Sequence, residues 1–114
     1  MSKRSDEELL QDIKEAGALI KEYISKMSSA KFFSDKKTQD AVIRNLEIIG
    51  EAVKNISAGL KKDNSDIPWK NIAGMRDRLI HDYSGVNIDI VWSVVENELP
   101  AFIRQTNLIL KNLK

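Results

Sequence analysis

The chain has 114 residues, of which 42% are hydrophobic and 31% charged, the balance of a globular domain rather than of a disordered segment. It contains no cysteine, which excludes disulfides, thiolate metal sites and a thiol nucleophile. The formal net charge is only +1, so contacts with nucleic acid would have to come from a local basic cluster. Neither a signal peptide nor a membrane-spanning run is predicted. We therefore expect a single cytoplasmic domain over residues 1–114.

The first predicted helix begins at Ser5. Ser5 and Glu8 have the spacing of a capping box, and the acidic residues behind the cap suit the positive end of the helix dipole. The run of small residues at 28–30 is expected to loosen this helix. Its apolar face repeats at helical spacing and consists of Leu9, Ile13, Ala16, Ile20, Ile24 and Met27.

The second predicted helix is capped by Ser34 or Asp35. Gly50 lies inside it, where glycine costs about 1 kcal/mol relative to alanine, so we expect the backbone of a neighbouring element to approach closely there. The polar residues 61–66 are predicted to form the loop that ends the helix. The apolar seam alternates steps of four and three and consists of Val42, Leu46, Ile49, Val53, Ile56 and Leu60.

Two further helical segments follow. The third opens at residues 67–69, with Pro68 in the first turn, and stops at Ser84 and Gly85. The fourth is capped by Asn87, and it kinks or restarts near Pro100, which has no N–H for the carbonyl of residue 96. The residues predicted to face inward are Ile72, Met75 and Leu79 in the third segment, and Val91, Val95, Leu99, Phe102, Ile103, Ile109 and Leu113 in the fourth. The sequence thus predicts an all-α fold, an antiparallel bundle of four to five helices.

Reactive side chains concentrate in residues 75–83, which include the only histidine, His81. Asp77 lies one helical turn before His81, where a carboxylate can hold the imidazole in one tautomer and favour its protonated form. Arg76 lies five residues before His81, so on one helix the two side chains diverge by roughly 140°. A twofold-related second subunit would bring both groups to one cleft. With one histidine and no cysteine, no metal site is predicted.

Arginine and histidine together suit the cleavage of RNA without a metal. The planar guanidinium of Arg76 matches phosphate oxygens, and His81 can exchange a proton with a ribose 2′-OH or with the leaving oxygen. Since DNA lacks the 2′-OH, the expected substrate is RNA. Arg78, Lys70 and Arg104 could neutralise further backbone charge.

The string formed by Arg76, His81 and Tyr83 is R-x-x-x-x-H-x-Y. It resembles the signature of HEPN domains, in particular the HepT-like toxins of the HepT/MntA systems. Residues 44–52, 67–76, 91–92 and 98–100 also resemble segments of that family, and the similarity runs from about residue 32 to residue 113. Four ordered segments are far more specific than the short string alone.

The resemblance implies a helical dimer built around the motif and a metal-independent endoribonuclease, the toxin of a type VII toxin–antitoxin system. It implies Arg76 and His81 as catalytic residues. From their positions beside these two, Asp77 and Arg78 are expected to support them, and no cofactor is expected. Tyr83 matches the position that a MntA-type nucleotidyltransferase antitoxin modifies with AMP. Asp77 departs from the family, which often has asparagine there, and this bears on the efficiency of cleavage.

The residues also allow other interpretations. The protein could be a non-catalytic helical dimer that binds a nucleotide or a nucleotidyltransferase partner. Arg76 could pair with an acid such as Glu51 inside the bundle. Trp69 and Trp92 are expected to anchor the core or an interface. The charged stripe of Arg44, Glu47, Glu51 and Lys54 is expected to be a solvated helix face.

Overall fold

The structure, a computed structural model, describes residues 4–79 and 85–113. The predicted all-α fold is confirmed, because these residues form helices, turns and loops and contain no β-strand. The α-helices are α1 (Asp6–Tyr23), α2 (Ser29–Ser34), α3 (Lys36–Asn55), α4 (Ala58–Asp63), α5 (Trp69–Ala73), α6 (Met75–Leu79), α7 (Ile88–Ser93) and α8 (Leu99–Leu113), with a π-helical turn at Val94–Glu98.

The predicted capping box begins α1. The Ser5 hydroxyl accepts a hydrogen bond from the Glu8 N–H at 3.1 Å, and the Glu8 carboxylate accepts one from the Ser5 N–H at 2.9 Å. The helix ends at Tyr23, earlier than the apolar pattern predicted. Residues 28–30, expected to loosen it, instead begin a new helix, because the Ser28 hydroxyl caps α2 by accepting from the Lys31 N–H.

The second predicted helix is confirmed from its cap but divides near its end. The Asp35 carboxylate caps α3 by accepting from the Thr38 N–H at 3.1 Å. Ile56 is extended, and Ser57 then caps α4 through the Leu60 N–H. The prediction of a loop at 61–66 is therefore wrong for residues 61–63, which belong to α4.

The long helices run antiparallel. Asp6 opens α1, and its carboxylate accepts hydrogen bonds from the N–H and hydroxyl of Ser57, just after α3, at 2.9 and 2.6 Å. At the middle of α1, Gly17 faces the side chain of Ile103 near the start of α8. Asp6 and Leu113, at the end of α8, line one surface groove. α1 therefore runs opposite to both α3 and α8.

The third segment is divided at Gly74 into α5 and α6. The three residues predicted to face inward, Ile72, Met75 and Leu79, are all buried. Trp69 is a core anchor, as predicted: its ring packs edge-to-face on Phe102 with centroids 5.8 Å apart. The predicted stop at Ser84 lies outside the described residues.

The break near Pro100 is confirmed and takes the form of the π-helical turn. Pro100 cannot donate to the Glu96 carbonyl, and the N–H before it, on Leu99, donates to the carbonyl of Val94, five residues back. The predicted Asn87 cap of α7 is also present, accepting from the Ile90 N–H. The inward prediction holds for most of the segment but is wrong for Leu113, which is 48% exposed; Leu110 is buried instead.

Candidate active site

Helix α5, which directly precedes the helix that carries Arg76, packs against α3 at Gly50. A β-carbon placed on Gly50 would lie 3.4 Å from the carbonyl oxygen of Ile72 and 3.9 Å from that of Ala73. This confirms the predicted close approach of a neighbouring backbone. Because α5 lies so near α3, the first turn of α6 emerges beside the exposed face of α3.

A groove of about 400 Å³ lies at this junction. One wall is the charged stripe of α3, which was expected to be only a solvated face, and Arg76 also lines the groove. The lining includes both positive and negative side chains, so it offers groups for phosphate oxygens and for hydrogen-bond donors. Its charged lining residues are Arg4, Asp12, Arg44, Glu47, Glu51, Lys54 and Arg76.

Arg76 and Asp77 are both exposed on α6, while Met75 and Leu79 on the same helix are buried and anchor it. Within residues 4–79 and 85–113, no carboxylate lies within ion-pair distance of the Arg76 guanidinium. The alternative in which Glu51 neutralises Arg76 is therefore wrong. Arg76 is exposed and lines the groove, so its guanidinium can bind an anionic ligand there.

Arg78 is engaged differently. Its Nη1 donates to Oε1 of Glu98 at 2.9 Å and its Nη2 donates to Oε2 at 2.6 Å. These hydrogen bonds lower the pKa of Glu98 and raise that of Arg78. The prediction that Arg78 adds neutralising charge for RNA needs correction, because Glu98 already balances that charge. The pairing joins α6 to the π-helical turn, and a supporting role of Arg78 at the site stays a prediction.

His81 and Tyr83 lie outside the described residues. The expected contact between Asp77 and His81, and the expected divergence of Arg76 and His81, therefore stay predictions. The backbone on either side of residues 80–84 is described: the Asn87 N–H donates to the Leu79 carbonyl at 2.8 Å.

The other basic residues named from the sequence do not join Arg76. Lys70 is exposed on α5, and Arg104 lines a different groove, between α1 and α8, together with Lys14 and Lys21. The described residues contain no group of three histidine, cysteine or acidic side chains placed to hold a metal ion. None of the described helices is long and apolar enough to span a membrane.

Sequence reasoning missed two arrangements near the motif. Glu98 is twenty residues from Arg78, beyond any helical spacing, so no local pattern indicates their pairing. The groove also receives Arg4 and Asp12, which form a two-point ion pair with contacts of 2.9 and 2.8 Å. Only the antiparallel packing of α1 on α3 brings that pair to the groove.

Comparison with known proteins decides the family. The family model described as "Ribonuclease HepT-like" matches residues 13–109. The chain belongs to the HepT-like ribonuclease family. The family predicted from the R-x-x-x-x-H-x-Y string is thereby confirmed, and so, at the level of the family, is the predicted enzyme class. The boundaries of a single domain over residues 1–114 stay a prediction.

Individual relatives agree with the HepT-like assignment. A Thermococcus cleftensis protein named "Probable ribonuclease HepT" is 48% identical over 99 residues, which cover 87% of this chain and 90% of that protein. A Methanocaldococcus jannaschii protein named as a "Putative RNase" is 41% identical over 114 residues, covering 100% and 94%. A similarly named protein of Caldanaerobacter subterraneus is 44% identical over 93 residues, covering 82% and 83%. No solved structure matches the chain significantly.

Proposed function

We propose that this HepT-like protein is a metal-independent endoribonuclease, the toxin of a type VII toxin–antitoxin system. The observation that carries the proposal is Arg76: an exposed guanidinium on a core-anchored helix, unpaired by any described carboxylate and open to a groove. Arginine in that setting binds phosphate oxygens through its planar fork. The family supplies the expectation that the phosphate belongs to RNA.

The proposed reaction is attack by a ribose 2′-OH on the adjacent phosphorus. The O2′–P bond forms, the P–O5′ bond breaks, and a proton passes from O2′ to the leaving O5′ through general acid–base catalysis. His81 is the proposed acid or base, with Asp77 orienting its imidazole. Arg76 neutralises the charge that develops on the phosphoryl oxygens. Two subunits of a homodimer contribute these groups to one cleft in the cytoplasm.

The proposed control acts on Tyr83. A MntA-type nucleotidyltransferase antitoxin transfers AMP to its hydroxyl, which lies two residues after His81 in the sequence. The added phosphate would compete for the Arg76 guanidinium, and the nucleotide would fill space at the cleft. Modified protein would therefore leave RNA intact.

Substitution of the two proposed catalytic residues tests the function. Arg76→Ala and His81→Ala are each expected to lower the rate of RNA cleavage by about 100-fold or more, measured on total RNA with purified protein. Both should abolish toxicity in cells. Lys37→Ala, an exposed cation on the first turn of α3 outside the groove, is the matched control and should cleave normally. Folded variants that cut RNA at the wild-type rate would refute the assignment.

The second candidate is a dimer that binds a nucleotide or a nucleotidyltransferase without cutting RNA. The presence of both positive and negative side chains in the groove and the net charge of +1 favour this second candidate, because an RNA-binding surface is usually more uniformly basic. It predicts intact RNA together with a tight partner complex that Arg76→Ala weakens. RNA cleavage by the purified wild-type dimer would exclude it.

A further inference from the structure

The stretch that contains His81 is flanked by two long-range contacts. On one side, Arg78 in α6 pairs with Glu98 in the π-helical turn; on the other, the Asn87 N–H donates to the Leu79 carbonyl. Both contacts join residues before the stretch 80–84 to residues after it. The described residues on the two sides of residues 80–84 are therefore held to each other through the fold.

The Arg78–Glu98 contact fixes orientation as well as distance. Two N–H···O bonds, at 2.9 and 2.6 Å, join the guanidinium and the carboxylate at two points, and a two-point contact restrains their relative orientation more than a single-point ion pair does. The two side chains are only 36% and 34% exposed, so the protein holds them in place better than most surface pairs. The contact restrains rotation of α6 about its axis.

The π-helical turn places Glu98 for this contact. An i→i−5 turn contains one residue more than an α-helical turn, and one residue corresponds to about 100° around the helix. Within the turn, Val94 and Val95 are buried, while Glu98 is half-buried and pairs with Arg78 of α6. Glu98 is the last residue of the turn, so the extra residue offsets its side chain from the direction that a continuous α-helix would give it.

We propose that Arg78 and Glu98 form a positioning pair that fixes α6, and with it the phosphate-binding Arg76, against the helical segment that follows His81. The catalytic part of this inference rests on the proposed function. The pair touches no substrate. It acts by holding the helix that carries Arg76 in one orientation relative to the segment that follows residues 80–84.

A positioning pair and a substrate-binding arginine predict different kinetics. If Arg78 bound RNA phosphate, its loss would mainly raise KM and would act independently of Glu98. If it positions α6, its loss lowers kcat with little change in KM, and the two substitutions share one effect. The double variant then behaves like either single variant.

The kinetic test compares Glu98→Gln, Arg78→Gln and the double variant. We expect each to lower kcat by roughly tenfold to a hundredfold, since misplacement of reacting groups by about 1 Å can cost 100-fold. KM should stay within about twofold. Arg78→Lys keeps the charge without the fork and should show a smaller loss, so it replaces Glu98→Gln if that variant does not fold. Asp40→Asn, which breaks the Lys36–Asp40 pair of 2.7 Å remote from α6, is the matched control.

A second readout does not depend on cleavage. Because His81 is the only histidine, the proton on its Cε1 gives one NMR signal that reports on the surroundings of the imidazole. Glu98→Gln and Arg78→Gln should shift or broaden this signal and speed amide exchange at residues 79 and 87. Asp40→Asn should leave both unchanged.

The outcomes separate this inference from the proposed function. If wild-type protein cleaves RNA and Glu98→Gln has normal kcat, the positioning role is overturned. An effect on KM alone, or additive effects in the double variant, would overturn it as well. If wild-type protein cleaves nothing, the proposed function fails, and the His81 signal then decides: an unchanged signal refutes the pair, and a changed one supports its anchoring of this stretch.

Discussion

Among residues 4–79 and 85–113, hydrogen bonds lower the pKa of three carboxyl groups and so favour their ionised form. The Ser5 N–H lowers the pKa of Glu8, the Thr38 N–H lowers that of Asp35, and the Arg78 guanidinium lowers that of Glu98. Two of these bonds cap helices, and the third joins α6 to the π-helical turn. Each carboxylate therefore links protonation to the stability of a structural element.

The sign of the resulting pH dependence follows from these lowered pKa values. Each ionised group stabilises the folded state above its unfolded pKa, near 4.5 for Glu8 and Glu98, and the contribution is lost as pH falls through the folded value. We expect the melting temperature to drop as pH decreases from about 5 to about 3. Glu8→Gln and Glu98→Gln should each flatten this acid limb.

The control for this titration is Glu22→Gln. The Glu22 carboxylate is exposed and accepts no hydrogen bond from the residues that the structure describes, so its substitution removes a negative charge without breaking a helix cap or the Arg78–Glu98 pair. The measurement is circular-dichroism melting of all variants at matched ionic strength. An acid limb equally steep in wild type, Glu8→Gln and Glu98→Gln would contradict the linkage.

At the residue scale, the sequence predicted what depends on local spacing. The caps at Ser5, Asp35 and Asn87 were found because a capping side chain bonds an N–H three residues away, and that interval is visible in the sequence. The Arg78–Glu98 pair was not found, because its partners meet only after two helical segments pack. The position of Arg4 at the groove could not be predicted for the same reason, because it depends on how α1 packs on α3.

At the scale of elements, the two mid-helix glycines illustrate different contacts. A β-carbon on Gly50 would stand 3.4 Å from the Ile72 carbonyl oxygen, an ordinary contact distance. A β-carbon on Gly17 would stand 2.6 and 2.9 Å from two side-chain carbons of Ile103, which is too close. At both glycines a neighbouring helix packs closely, but only at Gly17 would an added methyl group force the neighbouring side chain, that of Ile103, to move.

We therefore expect Gly50→Ala and Gly17→Ala to differ in sign. Gly50→Ala should be neutral or stabilise the fold by up to about 1 kcal/mol, because alanine favours the helix and the methyl fits. Gly17→Ala should destabilise, because overpacking costs about 1–3 kcal/mol and exceeds the gain in helix propensity. Urea unfolding of the two variants against wild type measures both. A Gly17→Ala protein as stable as Gly50→Ala would show that Ile103 moves aside freely.

Apolar periodicity predicted burial better than it predicted helix ends. Ile56 continues the seam of the second predicted helix and is buried, although the chain there has left α3 and is extended. Likewise, Ile72 and Met75 share one buried stripe across the break at Gly74. Apolar periodicity indicates which side chains are buried. A short break in a helix leaves this periodicity unchanged when the side chains on both sides of the break still point in the same direction. Helix ends depend on caps and on backbone contacts that periodicity does not contain.

At the scale of the molecule, antiparallel packing determines which charges meet. α1 and α3 bring their charged faces together with the first turn of α6, and the groove that results is open to solvent beside Arg76. The bundle class was predictable because four long apolar stripes need partners. The composition of the groove was not, because its walls come from four separate helices, α1, α3, α5 and α6.

Subunit mixing tests whether this open groove is completed by a second copy of the chain. In a dimer of one Arg76→Ala and one His81→Ala subunit, each subunit keeps the group that the other lacks. If the cleft takes its guanidinium and imidazole from different subunits, one wild-type combination survives. A refolded 1:1 mixture should then recover about a quarter of wild-type RNA cleavage, since half of the dimers are mixed and each keeps one of two combinations.

The separate Arg76→Ala and His81→Ala proteins, each refolded alone, are the controls and should remain inactive. A further control mixes Arg76→Ala with the double variant that lacks both groups; no combination can then pair an arginine with a histidine, so no activity should return. Recovery confined to the Arg76→Ala and His81→Ala mixture would require the two groups to act across the interface. Native mass spectrometry would show whether mixed dimers form. If they form and no activity returns, either both groups of each working site come from one subunit or all four groups are needed together. In that case, the proposed pairing of one Arg76 with one His81 across the dimer would be wrong.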